Sequence, residues 1–196
     1  MPILCDAPRK RLIVAMTGSS GATLGIEVLR ALKAASQLEL HLVVSRGAEL
    51  TIAQETDYTL DDVCALADHV HALHNIGASI ASGTFRTEGM LIVPCSMKTV
   101  AGIACGYSDN LILRAADVVL KERRKLVLVA RETPLSTIHL RNMLSLSEMG
   151  AIILPPMVSY YHRPKTLQEL NAHLVGKILD QFGIPYDGLK RWQEQQ

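Results

Sequence analysis

Leu12-Ile13-Val14-Ala15-Met16, followed at once by Thr17-Gly18-Ser19-Ser20-Gly21, decides the fold. Five apolar residues in a row are too few for a helix, and without polar alternation they read as a strand buried on both faces. The glycines of the next five permit a tight turn. Beyond it Leu24, Val28, Leu32 and Ala35 recur at helical spacing. A strand, a tight turn and a helix in that order open a parallel α/β sheet.

Working outward, similar runs recur at Leu40–Val44, Met90–Val93, Leu126–Ala130 and Ala151–Leu154. Helical segments lie between them, such as Leu111 to Leu120, which ends in Lys121, Arg123 and Arg124, cations suited to a helix C-terminus. The last helix is the clearest. Thr166 and Glu169 form a capping box, Leu167, Leu170, Leu174, Ile178 and Phe182 form a stripe, and Gly183 with Pro185 stops it. The alternation predicts one doubly wound α/β domain over residues 1–196, with a core of about 10–183 and a C-terminal tail of 184–196. Asn75 to Gly89 reads as a long loop, and long loops are functional candidates.

Composition narrows the partners. Lys plus Arg number 20 against 19 acids, and aromatics are 4 %, which excludes a polyanion-binding footprint or a base-stacking platform, so no nucleic-acid partner is expected. Mean hydropathy is +0.19, yet no apolar run reaches the ~20 residues of a bilayer span. An apolar chain of this kind is expected to cover surface in an oligomer. The N-terminus shows no secretory leader, and Cys5, Cys64, Cys95 and Cys105 show no CxxC spacing, so a reduced, cytoplasmic protein without structural zinc is expected.

Ligands of an open parallel sheet bind beyond the carboxyl ends of its strands. Four such junctions carry polar residues: Thr17–Gly21, Ser45-Arg46, Pro94-Cys95-Ser96-Met97-Lys98-Thr99 and Arg131-Glu132-Thr133-Pro134. The first is a phosphate-loop candidate, whose amides and hydroxyls can face an anion at a helix start. It is neither GxGxxG nor GK[ST], which argues against a dinucleotide site and a P-loop. Glu132 can move protons, or it is half of a surface pair with Arg131. Cys95 has no His or Asp at an informative spacing and reads as a packed small residue. Glu55 reads, on its own, as a solvated acid at a helix end. His69, His71 and His74 cluster without an evident carboxylate or cysteine partner, and no metal site is expected from them. Tyr160-Tyr161-His162-Arg163-Pro164 reads either as an interface aromatic segment or as a tyrosine hydroxyl placed for a phosphate.

TGSSGA at 17–22, ETD at 55–57, ASGTF at 81–85, PCSMKT at 94–99, RAADVVLKERRKLVLVARETPLSTIHL at 114–140 and YYHRP at 160–164 together resemble the UbiX flavin prenyltransferases, with their Pad-type relatives formerly called phenylacrylic acid decarboxylases. The resemblance spans about Lys10 to Trp192. It implies a flavodoxin-like, Rossmann-like fold assembled as a dodecamer of trimers. The implied activity is metal-independent transfer of a dimethylallyl group from dimethylallyl monophosphate to N5 and C6 of reduced FMN, the product serving a UbiD-type decarboxylase. By motif, Gly18, Ser19, Ser20, Ser45, Ser96, Met97, Lys98, Thr99 and Arg131 would hold FMN. Lys121, Arg131, Tyr161 and Lys177 would hold the prenyl phosphate, partly from neighbouring subunits, and Ser20, Glu55 and Glu132 would handle protons. Two positions depart from the family: TGSSGA replaces the usual TGASGA, and Lys177 stands where Arg is usual, which keeps the charge and loses the bidentate fork.

Two alternatives remain at this level. An FMN-dependent cysteinyl decarboxylase would share the fold, but its PxANT-type motif is missing near PCSMKT. A non-catalytic flavin-binding regulatory module would have no need for Glu55, Glu132, Lys121 and Tyr161 together.

Overall fold

The computed structural model describes residues 9–35 and 37–192, so Cys5 lies outside the described residues. Six parallel strands form one sheet: β1 (Lys10–Met16), β2 (Leu38–Val44), β3 (His69–His71), β4 (Gly89–Cys95), β5 (Lys125–Ala130) and β6 (Ile152–Ile153). Their order is β3-β2-β1-β4-β5-β6. All five strand runs expected from sequence are present. The three-residue edge strand β3, too short to show a pattern, is additional. Without it the order is that of a flavodoxin-like sheet; with it the order is the six-stranded Rossmann one, and in both the chain reverses direction between β1 and β4.

Helices α1 (Ala22–Ala34), α2 (Arg46–Glu55), α3 (Leu60–Cys64), α4 (Met97–Ala104), α5 (Leu111–Lys121), α6 (Thr137–Glu148) and α7 (Leu167–Asp180) cover the sheet. Alternate strand residues enter two cores. Leu12, Val14, Met16, Leu91 and Val129 pack with α1 and α7, whereas Ile13, Ala15, Met90, Ile92 and Leu128 pack with α4 and α5. A strand covered on both sides must be apolar throughout, which is why the runs show no alternation. Each fully buried Leu or Ile contributes about 1.5–3 kcal/mol.

Two local expectations change. Thr166 caps α7 by accepting from Glu169 N at 3.2 Å, but Glu169 accepts from Lys165 N and not from the cap residue, so the box is only half formed. Leu167 is 67 % exposed, and Phe182 lies beyond the helix end; the buried stripe is Leu174 and Ile178. In the described part of the tail, Ile184 and Tyr186 pack on the first core. The loop of 75–89 contains a 3-10 turn, Ser79–Ala81, that buries Ile80 and Ala81.

Candidate active site

The corner between the carboxyl ends of β1 and β4 is built around one buried hydroxyl. Thr17 Oγ1 donates to Pro94 O at 2.9 Å and accepts from Ser96 N at 2.8 Å, while Thr17 N donates to Pro94 O at 3.1 Å. This ties the glycine-rich turn to the PCSMKT turn across the point where the chain reverses. Sequence reading placed Thr17 in the motif without seeing this role, because its partners lie 77 and 79 residues away.

The glycine-rich turn starts α1 at Gly21 with no side-chain cap, whereas the turns after β2 and β4 each start a helix with a hydroxyl cap. Ser45 Oγ accepts from Ala48 N at 3.1 Å for α2, and Ser96 Oγ accepts from Thr99 N at 3.4 Å for α4. Gly18 and Gly47 bring the first two turns together: a Cβ on Gly18 would stand 2.7 Å from Gly47 Cα, a contact no side chain could make. Ser19 Oγ is buried and has no hydrogen-bond partner among the described residues. Met97 is buried, whereas Lys98 and Arg131 are exposed. Arg131 N donates to Cys95 O at 3.1 Å, which sets the Arg131-Glu132 turn beside the β4 turn. Glu132 Oε1 accepts from Thr133 N at 3.0 Å.

Glu55 is not a free surface acid. It ends α2, and one carboxylate oxygen accepts from Gly21 N and Ala22 N, each at 2.9 Å, so the anion at the start of α1 is a residue of the chain itself. Burial pushes its carboxyl up, but those two amides, the Ser20 hydroxyl and the charge of Arg131 outweigh burial and hold it below the usual carboxylate range. Glu55 is therefore ionised and coupled to Ser20 and Arg131. Cys95 is fully buried, and burial pushes its thiol up, which fits packing and not nucleophilic chemistry.

The residues expected to clamp a prenyl phosphate are not together in one chain. Arg131 follows the carboxyl end of β5, whereas Lys121 ends α5 just before the strand begins, and a six-residue strand separates them by about 20 Å. Lys121 pairs there with Glu122 at 2.5 Å. Tyr161 and Lys177 share a separate cavity of about 370 Å³ with His173 and Trp192. Tyr161 Oη meets His173 Nε2 at 3.1 Å and donates to Lys190 O at 3.3 Å. His173 was not anticipated: in sequence it looks like one more residue on the buried face of α7.

A parallel sheet whose hydroxyl-capped, glycine-tight turns meet at its reversal point defines a nucleotide-binding α/β protein, and here the class is that of the flavoproteins: the Flavoprotein family model matches residues 4–178. The chain is 55 % identical over 183 residues to a "Probable UbiX-like flavin prenyltransferase" of Escherichia coli O157:H7, covering 93 % of each chain. It superposes with a TM-score of 0.93 and 52 % identity on AnUbiX (PadA1) in complex with FMN and dimethylallyl pyrophosphate, over 96 % of this chain and 100 % of that one. A dodecameric FMN-dependent UbiX-like decarboxylase from Escherichia coli O157:H7 superposes with a TM-score of 0.92 and 55 % identity, over 93 % and 99 %. The chain belongs to the UbiX-like flavin prenyltransferase family.

Proposed function

We propose that this protein transfers a dimethylallyl group from dimethylallyl monophosphate to N5 and C6 of reduced FMN and supplies the prenylated flavin to a UbiD-type decarboxylase. The carrying observation is the junction of Thr17–Gly21, Ser45, Ser96–Thr99 and Arg131 at one sheet edge, with an ionised Glu55 coupled to Ser20 and Arg131. The residues fit a phosphate-bearing flavin: Ser19 offers a buried hydroxyl with no partner among the described residues, and Gly18 packed on Gly47 holds the first two turns close together. Reduced FMN brings the nucleophilic N5 and the C6 carbon. Gly18, Ser19, Ser20, Ser45 and Ser96–Thr99 would hold and orient it, and Arg131 would serve both the flavin and the prenyl phosphate.

Glu55 and Ser20 hold and pass a proton at the α1 start, and Glu132 does so from the β5 turn. Cations that hold the leaving phosphate lower the cost of breaking its bond to the allyl carbon without a metal. Because Lys121, Tyr161 and Lys177 stand away from Arg131 within the chain, the clamp closes between copies, in a dodecamer like that of the relative. Exposed Ile138, Leu140 and Leu144 on α6, and Met157 and Tyr160 beyond β6, supply apolar surface for such contacts. Among the described residues no helix is long and apolar enough to cross a membrane, and we place the protein in the cytoplasm.

The test is anaerobic incubation with reduced FMN, dimethylallyl monophosphate and chelator, followed by mass analysis of the flavin. A gain of one isoprene unit with release of phosphate is expected. An unchanged flavin mass, a requirement for metal, or loss of carbon dioxide from cysteinyl peptides would overturn the reading.

A further inference from the structure

The register of β2 with β3 sets His41 opposite His69 and Val43 opposite His71. Glu39, two residues before His41, and His71, two after His69, therefore share the same sheet face as the His41–His69 pair. One carboxylate oxygen of Glu39 receives both imidazoles: Glu39 Oε1 lies 3.2 Å from His41 Nε2 and 3.1 Å from His69 Nε2. The His41 and His69 rings stack with centroids 4.7 Å apart, and the three ligand-type atoms lie within 4.8 Å of one another. Behind them His41 Nδ1 meets His71 Nε2 at 2.9 Å.

We propose that Glu39, His41 and His69 form a binding site for one first-row divalent transition ion of the zinc type, which clips the edge strand β3 onto β2. The spacing suits the ion: ligands at 2.0–2.1 Å from a tetrahedral centre stand about 3.3–3.4 Å apart, close to the two oxygen–nitrogen separations observed. Two imidazole nitrogens with one carboxylate oxygen select zinc, cobalt or nickel over calcium and magnesium. On binding, His41 takes the tautomer with its proton on Nδ1, so that Nε2 offers its lone pair to the ion while Nδ1–H donates to His71 Nε2, whose own proton sits on Nδ1; this is the outer hydrogen bond that orients a ligating histidine.

Access and support are both built in. The side chain of His69 is 52 % exposed, leaving a way in and an open coordination position, while that of His41 is only 4 % exposed. Phe85 closes the buried side, its ring edge-on to His41 at 5.2 Å and under the Arg11 guanidinium at 4.5 Å. Arg11 Nε lies 3.4 Å from Glu39 Oε2, leaving Oε1 for the ion. The site sits within the strands, away from the turns assigned to flavin, so prenyl transfer does not depend on it. His74, the third histidine of the cluster seen in sequence, is exposed and outside it.

The experiment titrates metal-stripped protein without a histidine tag with Zn²⁺ by calorimetry, and with Co²⁺ by absorption spectroscopy. One ion per chain is expected, with cobalt d–d bands and no thiolate charge-transfer band. Thermal midpoint should rise with zinc in the parent protein. His69→Ala and Glu39→Gln should each weaken binding about tenfold or more and abolish the zinc-dependent rise, with flavin binding retained. Lack of saturable binding, a thiolate band, or undiminished affinity in both variants would overturn the proposal.

Discussion

Glu55 and Gly21, 34 residues apart, are joined by a 2.9 Å hydrogen bond from the Gly21 amide to the Glu55 carboxylate. The bond places a negative charge at the N-terminus of α1, where aligned peptide dipoles favour it. It also holds α2 against the turn proposed to receive flavin phosphate. An acid so placed is locked in direction and ionised, two properties wanted of a proton-handling group.

That geometry predicts a pH dependence with a definite sign. A carboxyl held below its ordinary value of 4.5 stabilises the fold above that value and loses the contribution as pH falls through its lower folded value. Glu55→Gln should therefore be less stable near neutrality by only ~0.5 kcal/mol, since the group is exposed, with the difference vanishing in acid. Thermal unfolding at both pH values checks this. Prenyl transfer should slow by about 10²-fold; an unchanged rate would return Glu55 to a purely structural role.

Thr17→Val keeps the shape and removes the hydroxyl that serves both Pro94 O and Ser96 N. Ser96 N then loses its partner, while Pro94 O keeps the Thr17 amide, and the unpaired donor costs about 1–3 kcal/mol. Thr17→Ser should restore most of it. Urea unfolding reads the stability, and a flavin titration should show weaker FMN binding in the valine variant alone.

Gly18→Ala tests the close approach of the first two turns. The added methyl would meet the backbone of Gly47 at 2.7 Å, and backbone cannot rotate away as a flexible side chain can. One turn must move, so FMN affinity should fall by about tenfold or more, an expectation derived from the sensitivity of bound geometry to small displacements. Fluorescence titration of FMN is the measurement, and native-like affinity would mean that this turn does not contact the flavin.

Glu132→Gln preserves shape and hydrogen bonding while removing proton transfer. FMN binding should persist and turnover should fall by about 10²-fold or more. Single-turnover analysis of flavin mass separates the two, and unchanged turnover would make Glu132 an ordinary surface partner of Arg131.

Much of this protein was legible along the chain. Continuous apolar runs such as Leu12–Met16 and Leu126–Ala130 report burial on both faces, a local property, and the hydroxyl and glycine turns after them mark the ligand edge because parallel strands put every such turn on one side. The motifs likewise carried the family. What only the tertiary structure decided depends on residues far apart: Glu55 meeting the start of α1, Thr17 bridging to Ser96, and Glu39 and His41 arriving beside His69 through strand register. It also set Lys121 and Arg131 at opposite ends of β5 and brought Tyr161 and Lys177 into one cavity, which no spacing in sequence reveals. Periodicity is set by each segment's own geometry, whereas pairing across the sheet and the direction of each helix are set by packing of the whole chain, and the chemistry of the site follows from the latter.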